Sequence, residues 1–197
     1  MNVACVIGNG PSRKLLDLYD IHRCMTTYGC NALYRDFIPH YLISMDIFMV
    51  REILGNNIHY KTKFYTQHTN HIDDMARDGH PINFVWGQRE TLDSGNTALR
   101  IALKNNHDIV YMIGFDYMVD NDIPNIYTDS PNYYKSNQYP APESQNTRWR
   151  GRLSSILKEY NKIKVVRVTT NPINLKHDNF LEITINEFKE ELYGIYA

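Results

Sequence analysis

The sequence predicts an α/β protein, a single domain over residues 1–197, with a mostly parallel sheet and helices on both faces. Three observations point there. Short apolar runs of strand length alternate with amphipathic stretches of helix length. The opening Val3-Ala4-Cys5-Val6-Ile7-Gly8-Asn9-Gly10-Pro11-Ser12 reads as a buried strand, a tight glycine turn and a helix start. No internal repeat or linker divides the chain.

Taken in order, the first strand leads into a helix that starts at Pro11-Ser12 and runs on through Leu18. Residues 22–28 read as a second strand ending at Gly29-Cys30-Asn31, and Ala32-Leu33-Tyr34 as a short helical piece. Residues 40–46 form a third strand with Asp46 at its C-terminal end. A helix over 47–54 is stopped by Gly55-Asn56-Asn57. Lys63–Thr66 is a fourth strand, and residues 68–81 are polar and turn-rich with no assigned element. Residues 82–86 suit an edge strand. Asp93-Ser94-Gly95-Asn96 signals a helix start, and residues 97–104 carry that helix with apolar side chains all round. Residues 108–113 are the clearest strand, ending in Gly114-Phe115-Asp116-Tyr117. Residues 118–144 lack periodicity, and a structureless stretch of that length inside a domain reads as a lid. A helix follows over about 146–160, with Trp149, Leu153, Ile156, Leu157 and Tyr160 on one face. Lys164–Val168 and Phe180–Ile183 are strands, and Thr184 with Glu187 makes a capping box for the last helix.

Bulk properties exclude some functions. Of the 197 residues, 43% are hydrophobic and 22% charged, as in an ordinary globular protein. The net charge of −1 leaves no global basic footprint for nucleic acid, although Arg148, Arg150 and Arg152 fall close together. No apolar run is long enough for a membrane span, and the N-terminus lacks a signal-peptide layout. Cys5, Cys24 and Cys30 form neither a disulfide framework nor a metal spacing, so a cytoplasmic protein with reduced thiols is expected. The 15 tyrosines, several of them between 111 and 139, suit a polar ligand such as a sugar or base, or the interface of a homo-oligomer.

Candidate binding residues follow from topology. In parallel sheets ligands bind beyond the C-terminal strand ends. Four polar clusters fall there: Gly8-Asn9-Gly10-Pro11-Ser12, Asn31, Ser94-Gly95-Asn96 and Gly114-Phe115-Asp116-Tyr117. The first is a strand–glycine–helix corner, which presents backbone N–H groups to an anion. It lacks the third glycine of a dinucleotide fingerprint and the lysine of a P-loop. Together the clusters predict a nucleotide site in which Asn9 to Ser12 hold phosphate, while Asn31, Ser94 and Asn96 orient base and ribose. Asp46 bonds a ribose hydroxyl or caps its helix, and Asp116 faces the ligand or anchors its loop.

These residues also carry a resemblance. Gly8-Asn9-Gly10-Pro11-Ser12 resembles the opening motif of bacterial sialyltransferases that use CMP-sialic acid, shared with wider Rossmann-like proteins including pterin pyrophosphokinase-like ones. Asn31, Ser94-Gly95, Gly114-Phe115-Asp116-Tyr117, Gln145-Asn146-Thr147 and Asn171-Pro172 follow in the family's order. The resemblance implies a Rossmann-like fold, a CMP-type nucleotide sugar donor, a hydroxyl acceptor, inverting transfer and no metal cofactor. That family places a His general base shortly before its Asn-Thr. Here the matching position is Glu143, and no His lies between Asp108 and Lys176. A buried carboxylate can serve as a base, so Glu143 is the expected one, with a solvated loop glutamate as the bland reading. Lid tyrosines, among them Tyr127, Tyr133, Tyr134 and Tyr139, are expected to hydrogen-bond the leaving phosphate. The acceptor is a glycan, a lipid-linked sugar or a modified DNA base.

Other chemistries compete. Asp120-Asn121-Asp122 has the D-x-D spacing of metal-dependent sugar-nucleotide transferases, so Mg²⁺ held by Asp120 and Asp122 is the alternative cofactor. A Mg²⁺-dependent pyrophosphokinase-like enzyme and a non-catalytic nucleotide-binding module are the rival functions. His68 and His71 have no third ligand for zinc, and no serine or cysteine nucleophile motif occurs.

Overall fold

The computed structural model describes residues 2–85, 93–120, 122–136 and 142–196. Among them eight strands form one sheet: β1 (Val3–Ile7), β2 (Thr26–Cys30), β3 (Tyr41–Ile43), β4 (Lys63–Thr66), β5 (Ile82–Phe84), β6 (Ile109–Ile113), β7 (Lys164–Val168) and β8 (Phe180–Ile183). The spatial order is β5-β4-β3-β2-β1-β6-β7-β8, and every neighbouring pair is parallel. The chain builds outward from β1 to β5. It then returns through α4 (Ser94–Lys104) to lay β6 on the other side of β1. The strand order therefore reverses at β1 and β6, and their C-terminal ends open a crevice at the reversal.

Burial on both faces explains the apolar strands. β1 is buried throughout and its side chains alternate. Ala4 and Val6 pack with Ala98, Leu99 and Ala102 of α4 and with Leu153 and Leu157 of α5 (Pro142–Glu159). Val3, Cys5 and Ile7 pack on the opposite face with Ile21 of α1 (Leu18–Cys24) and with Phe188 and Leu192 of α6 (Ile185–Tyr196). A third cluster joins α2 (Ile47–Gly55) to Phe64 of β4, Ile72 of α3 (Asn70–Arg77) and the lid residue Tyr127. No helix among the described residues is long and apolar enough to cross a membrane.

Several elements differ from expectation. The helix predicted from Pro11 through Leu18 is instead a 3-10 turn over Pro11–Leu15, followed by α1. Asp17 separates the two because its carboxylate accepts from the amides of Tyr19 (2.8 Å) and Asp20 (3.2 Å), starting a new helix. That cap draws His22, Arg23 and Cys24 into α1, so β2 begins at Thr26 rather than at 22. The unassigned segment 68–81 contains α3, started by the Thr69 hydroxyl accepting from Ile72 N. α5 begins at Pro142, taking the last residues of the expected lid. The capping box of α6 forms as predicted, with Thr184 N donating to Glu187 at 2.7 Å.

Candidate functional site

The crevice at β1 and β6 opens into a cavity of about 500 Å³, within the range of small-ligand sites. Its floor is the run of strand ends: Gly8 to Gly10 after β1, Asn31 after β2, Asp46 after β3, Gln67 after β4 and Gly114 to Tyr117 after β6. One wall is the start of α4, from Asp93 to Asn96. The loop after β6 lines another side with Asn125, Tyr133 and Tyr134, and α5 lines a further one. Gly8, Asn9, Gly10, Asn31, Asp46, Ser94, Gly95, Asn96, Gly114, Asp116 and Tyr117 were predicted from separate stretches, and all line this one cavity.

The carboxamides are held in defined orientations. Asn31, itself in the left-handed region (φ 50°), accepts from the hydroxyls of Ser44 (3.0 Å) and Ser94 (2.7 Å). The Ser94 oxygen already accepts from Met45 N, so its proton is directed to Asn31 Oδ1. Asn31 Nδ2 is then left without a partner among the described residues. Asn9 is 6% exposed and donates from Nδ2 to the Cys30 carbonyl at 3.1 Å. A carbonyl only accepts, which fixes the amide and leaves Asn9 Oδ1 unpartnered. Asn96, 7% exposed, donates to the Asp93 carboxylate at 2.9 Å, and its Oδ1 is unpartnered by the same logic. Buried polar atoms ordinarily find partners. Here two fixed amide oxygens in cavity-lining residues, Asn9 Oδ1 and Asn96 Oδ1, do not.

The first corner differs chemically from expectation. Gly8 N donates to Ile113 O and Gly10 N to Gly114 O, each at 2.8 Å. Ser12 N donates to Asp116 at 2.8 Å, and the Ser12 hydroxyl donates to the same carboxylate. A Cβ on Gly10 would lie 2.5 Å from that carboxylate, so glycine makes room for it. Gly10 N and Ser12 N, two of the three amides expected to hold phosphate, are thus satisfied within the protein, and an aspartate sits at the turn. Pro11 and Ser12 line a separate cavity of about 410 Å³, which Asp116 also borders.

Other candidates fall elsewhere. Tyr127 is buried outside the main cavity; its hydroxyl donates to Asp36 (2.6 Å) and accepts from Arg13 (2.7 Å), anchoring the lid. Burial and Asp36 both raise its pKa above the usual tyrosine value. The catalytic role expected of Tyr127 falls on a side chain used as a strut. Tyr133, which does line the cavity, receives hydrogen bonds from Asn9 (3.4 Å) and Asn125 (3.1 Å). Glu143 is exposed in the first turn of α5 and is not among the cavity-lining residues. Tyr139 lies outside the described residues, as does Asn121. Asp120 and Asp122 border the second cavity in a turn closed by reciprocal Val119–Asp122 bonds. Among the described residues no group of three or more His, Cys, Asp or Glu is placed to hold a metal ion. Asp46 caps α2 through Phe48 N and Met49 N while bordering the cavity. Cys30 is a buried thiol whose pKa is pushed up to about 12, chiefly by burial, which argues against a nucleophile.

Sequence reasoning missed the α5 wall. Gln145, Arg148, Trp149 and Arg152 all line the cavity, at i, i+3, i+4 and i+7 of one helix face. That spacing is visible in the sequence, but Trp149 was grouped with the apolar face alone. Arg150 leaves the expected basic cluster and donates to Ile173 O at 2.8 Å. No family model, no curated protein and no solved structure matches the chain.

Proposed function

We propose that the chain is an inverting, metal-independent glycosyltransferase that moves a sugar from a nucleotide donor, CMP-type by resemblance, to a hydroxyl acceptor. The observation that carries the reading is a pair of buried, unpartnered carboxamide oxygens, Asn9 Oδ1 and Asn96 Oδ1, together with Nδ2 of the partly buried Asn31, in residues of one cavity at the strand-order reversal. They ask a ligand for two donors and one acceptor, a demand that nucleobase edges and ribose hydroxyls meet. Tyr133 and Tyr134 give the lid hydroxyls and aromatic faces for a polar ligand.

In the reaction the acceptor oxygen attacks the anomeric carbon, the bond from that carbon to the phosphate oxygen breaks, and the nucleotide leaves with the electron pair. A carboxylate takes the acceptor proton. Asp116 lines the cavity and is better placed for this than Glu143, which does not. The test is nucleotide release from CMP-sialic acid, with UDP-glucose and GDP-mannose as comparisons, in excess EDTA. Release from CMP-sialic acid is expected, slowed about 100-fold by Asp116→Asn and much less by Glu143→Gln. No release from any of the three donors, with or without Mg²⁺, overturns the transferase reading.

A further inference from the structure

The ligand's anionic end has lost two of the three amides of its expected seat. Gly8 N, Gly10 N and Ser12 N are already engaged, and Asp116 places negative charge at the corner. Asp46 adds a second carboxylate along the strand ends. Among the described residues that line the cavity, the cations are Arg148 and Arg152, both on α5. Arg152 is tied to Asp93 at 3.0 Å. Arg148 is exposed at the cavity edge. Beside it, the buried Trp149 Nε1–H has no acceptor. An indole N–H only donates, so its demand is for an oxygen.

We infer that the phosphate of the ligand docks on the α5 face, at Arg148 and Trp149, rather than at the first strand–helix corner. This rests on reading the cavity as a nucleotide site and gives the ligand a direction. Its neutral base and sugar meet Asn9, Asn31 and Asn96, and its charge meets the α5 wall of the cavity. The guanidinium supplies a charge-assisted contact, and the indole N–H a neutral donor. The neighbouring Gln145 Oε1, also unpartnered, is the competing acceptor for that indole proton.

The experiment follows the Trp149 indole resonance in ¹⁵N–¹H spectra, assigned by its loss in Trp149→Phe, with pyrophosphate, cytidine and CMP as probes. Pyrophosphate is expected to move the resonance saturably in the wild type and not in Arg148→Gln. CMP is expected to bind about tenfold more tightly than cytidine, a preference that Arg148→Gln abolishes. A resonance that ignores pyrophosphate, or a CMP preference that survives Arg148→Gln and disappears in Ser12→Ala, overturns the inference. Failure of cytidine, uridine, guanosine and adenosine to bind at all overturns the nucleotide reading instead, while the pyrophosphate titration still decides whether α5 holds phosphate.

Discussion

Arg167→Ala is expected to lower folding stability by about 3–5 kcal/mol, a large share of what a domain of this size possesses. Arg167 is 0% exposed, the largest fully buried side chain among the described residues. Its Nε donates to Phe115 O at 2.8 Å, and its Nη1 donates to Asn171 O at 3.1 Å and to the Glu182 carboxylate. The guanidinium also lies 5.0 Å from the Tyr117 ring centroid. Glu182 is itself committed, accepting from Ile173 N and Asn174 N, each at 3.0 Å. Removing the arginine leaves a largely buried carboxylate without its counter-charge and takes the side-chain donor from Phe115 O. The double variant Arg167→Met/Glu182→Leu is expected to recover part of the loss, because an apolar pair does not pay the desolvation of a lone ion. Urea unfolding of the two variants measures this. A cost below about 1 kcal/mol for Arg167→Ala removes the ion pair from any structural role. The consequence reaches the site, since Phe115 and Tyr117 line the cavity and hang from this arginine.

The second large effect is expected at Gly8. A Cβ there would lie 2.9 Å from Gly114 C and closer still to its oxygen. Both are backbone atoms of the turn that directly follows β6, and Gly114 has φ +67°, so neither side can yield cheaply. Gly8→Ala is expected to cost about 3 kcal/mol and to spread the crevice between β1 and β6. Gly151→Ala is the internal control. It lies within α5 with nothing within 4 Å of the added methyl, so it should be neutral or stabilising by up to about 1 kcal/mol. Equal melting temperatures for Gly8→Ala and the wild type would show that the two loops do not abut as described.

The sheet was legible because its strands are buried on both faces and read as apolar runs. β7 and β8 fall where the sequence places them, and β6 within one residue. The site clusters were legible because parallel topology sends every strand end to one side, so positions 8–10, 31, 93–96 and 114–117 converge without sharing a local motif. What stayed hidden has three physical sources. Asp17 looks like any helix residue until its carboxylate is seen to cap α1, and this misplaced the start of β2. Ser12 reads as an anion donor, but the sequence does not reveal that Asp116, far along the chain, supplies the anion. Arg167 reads as a polar break in an apolar strand, whereas its partners come from three other segments.

The central claim is that Asn9, Asn31 and Asn96 together receive a nucleoside at the junction of β1 and β6. A crystal structure of the protein grown with CMP tests it most directly. The account predicts ligand in that crevice, with Asn9 Oδ1 and Asn96 Oδ1 accepting from it, Asn31 Nδ2 donating to it, and the phosphate turned toward α5. A crevice holding only water, with those three amides bonded to one another or to lid side chains, would contradict it.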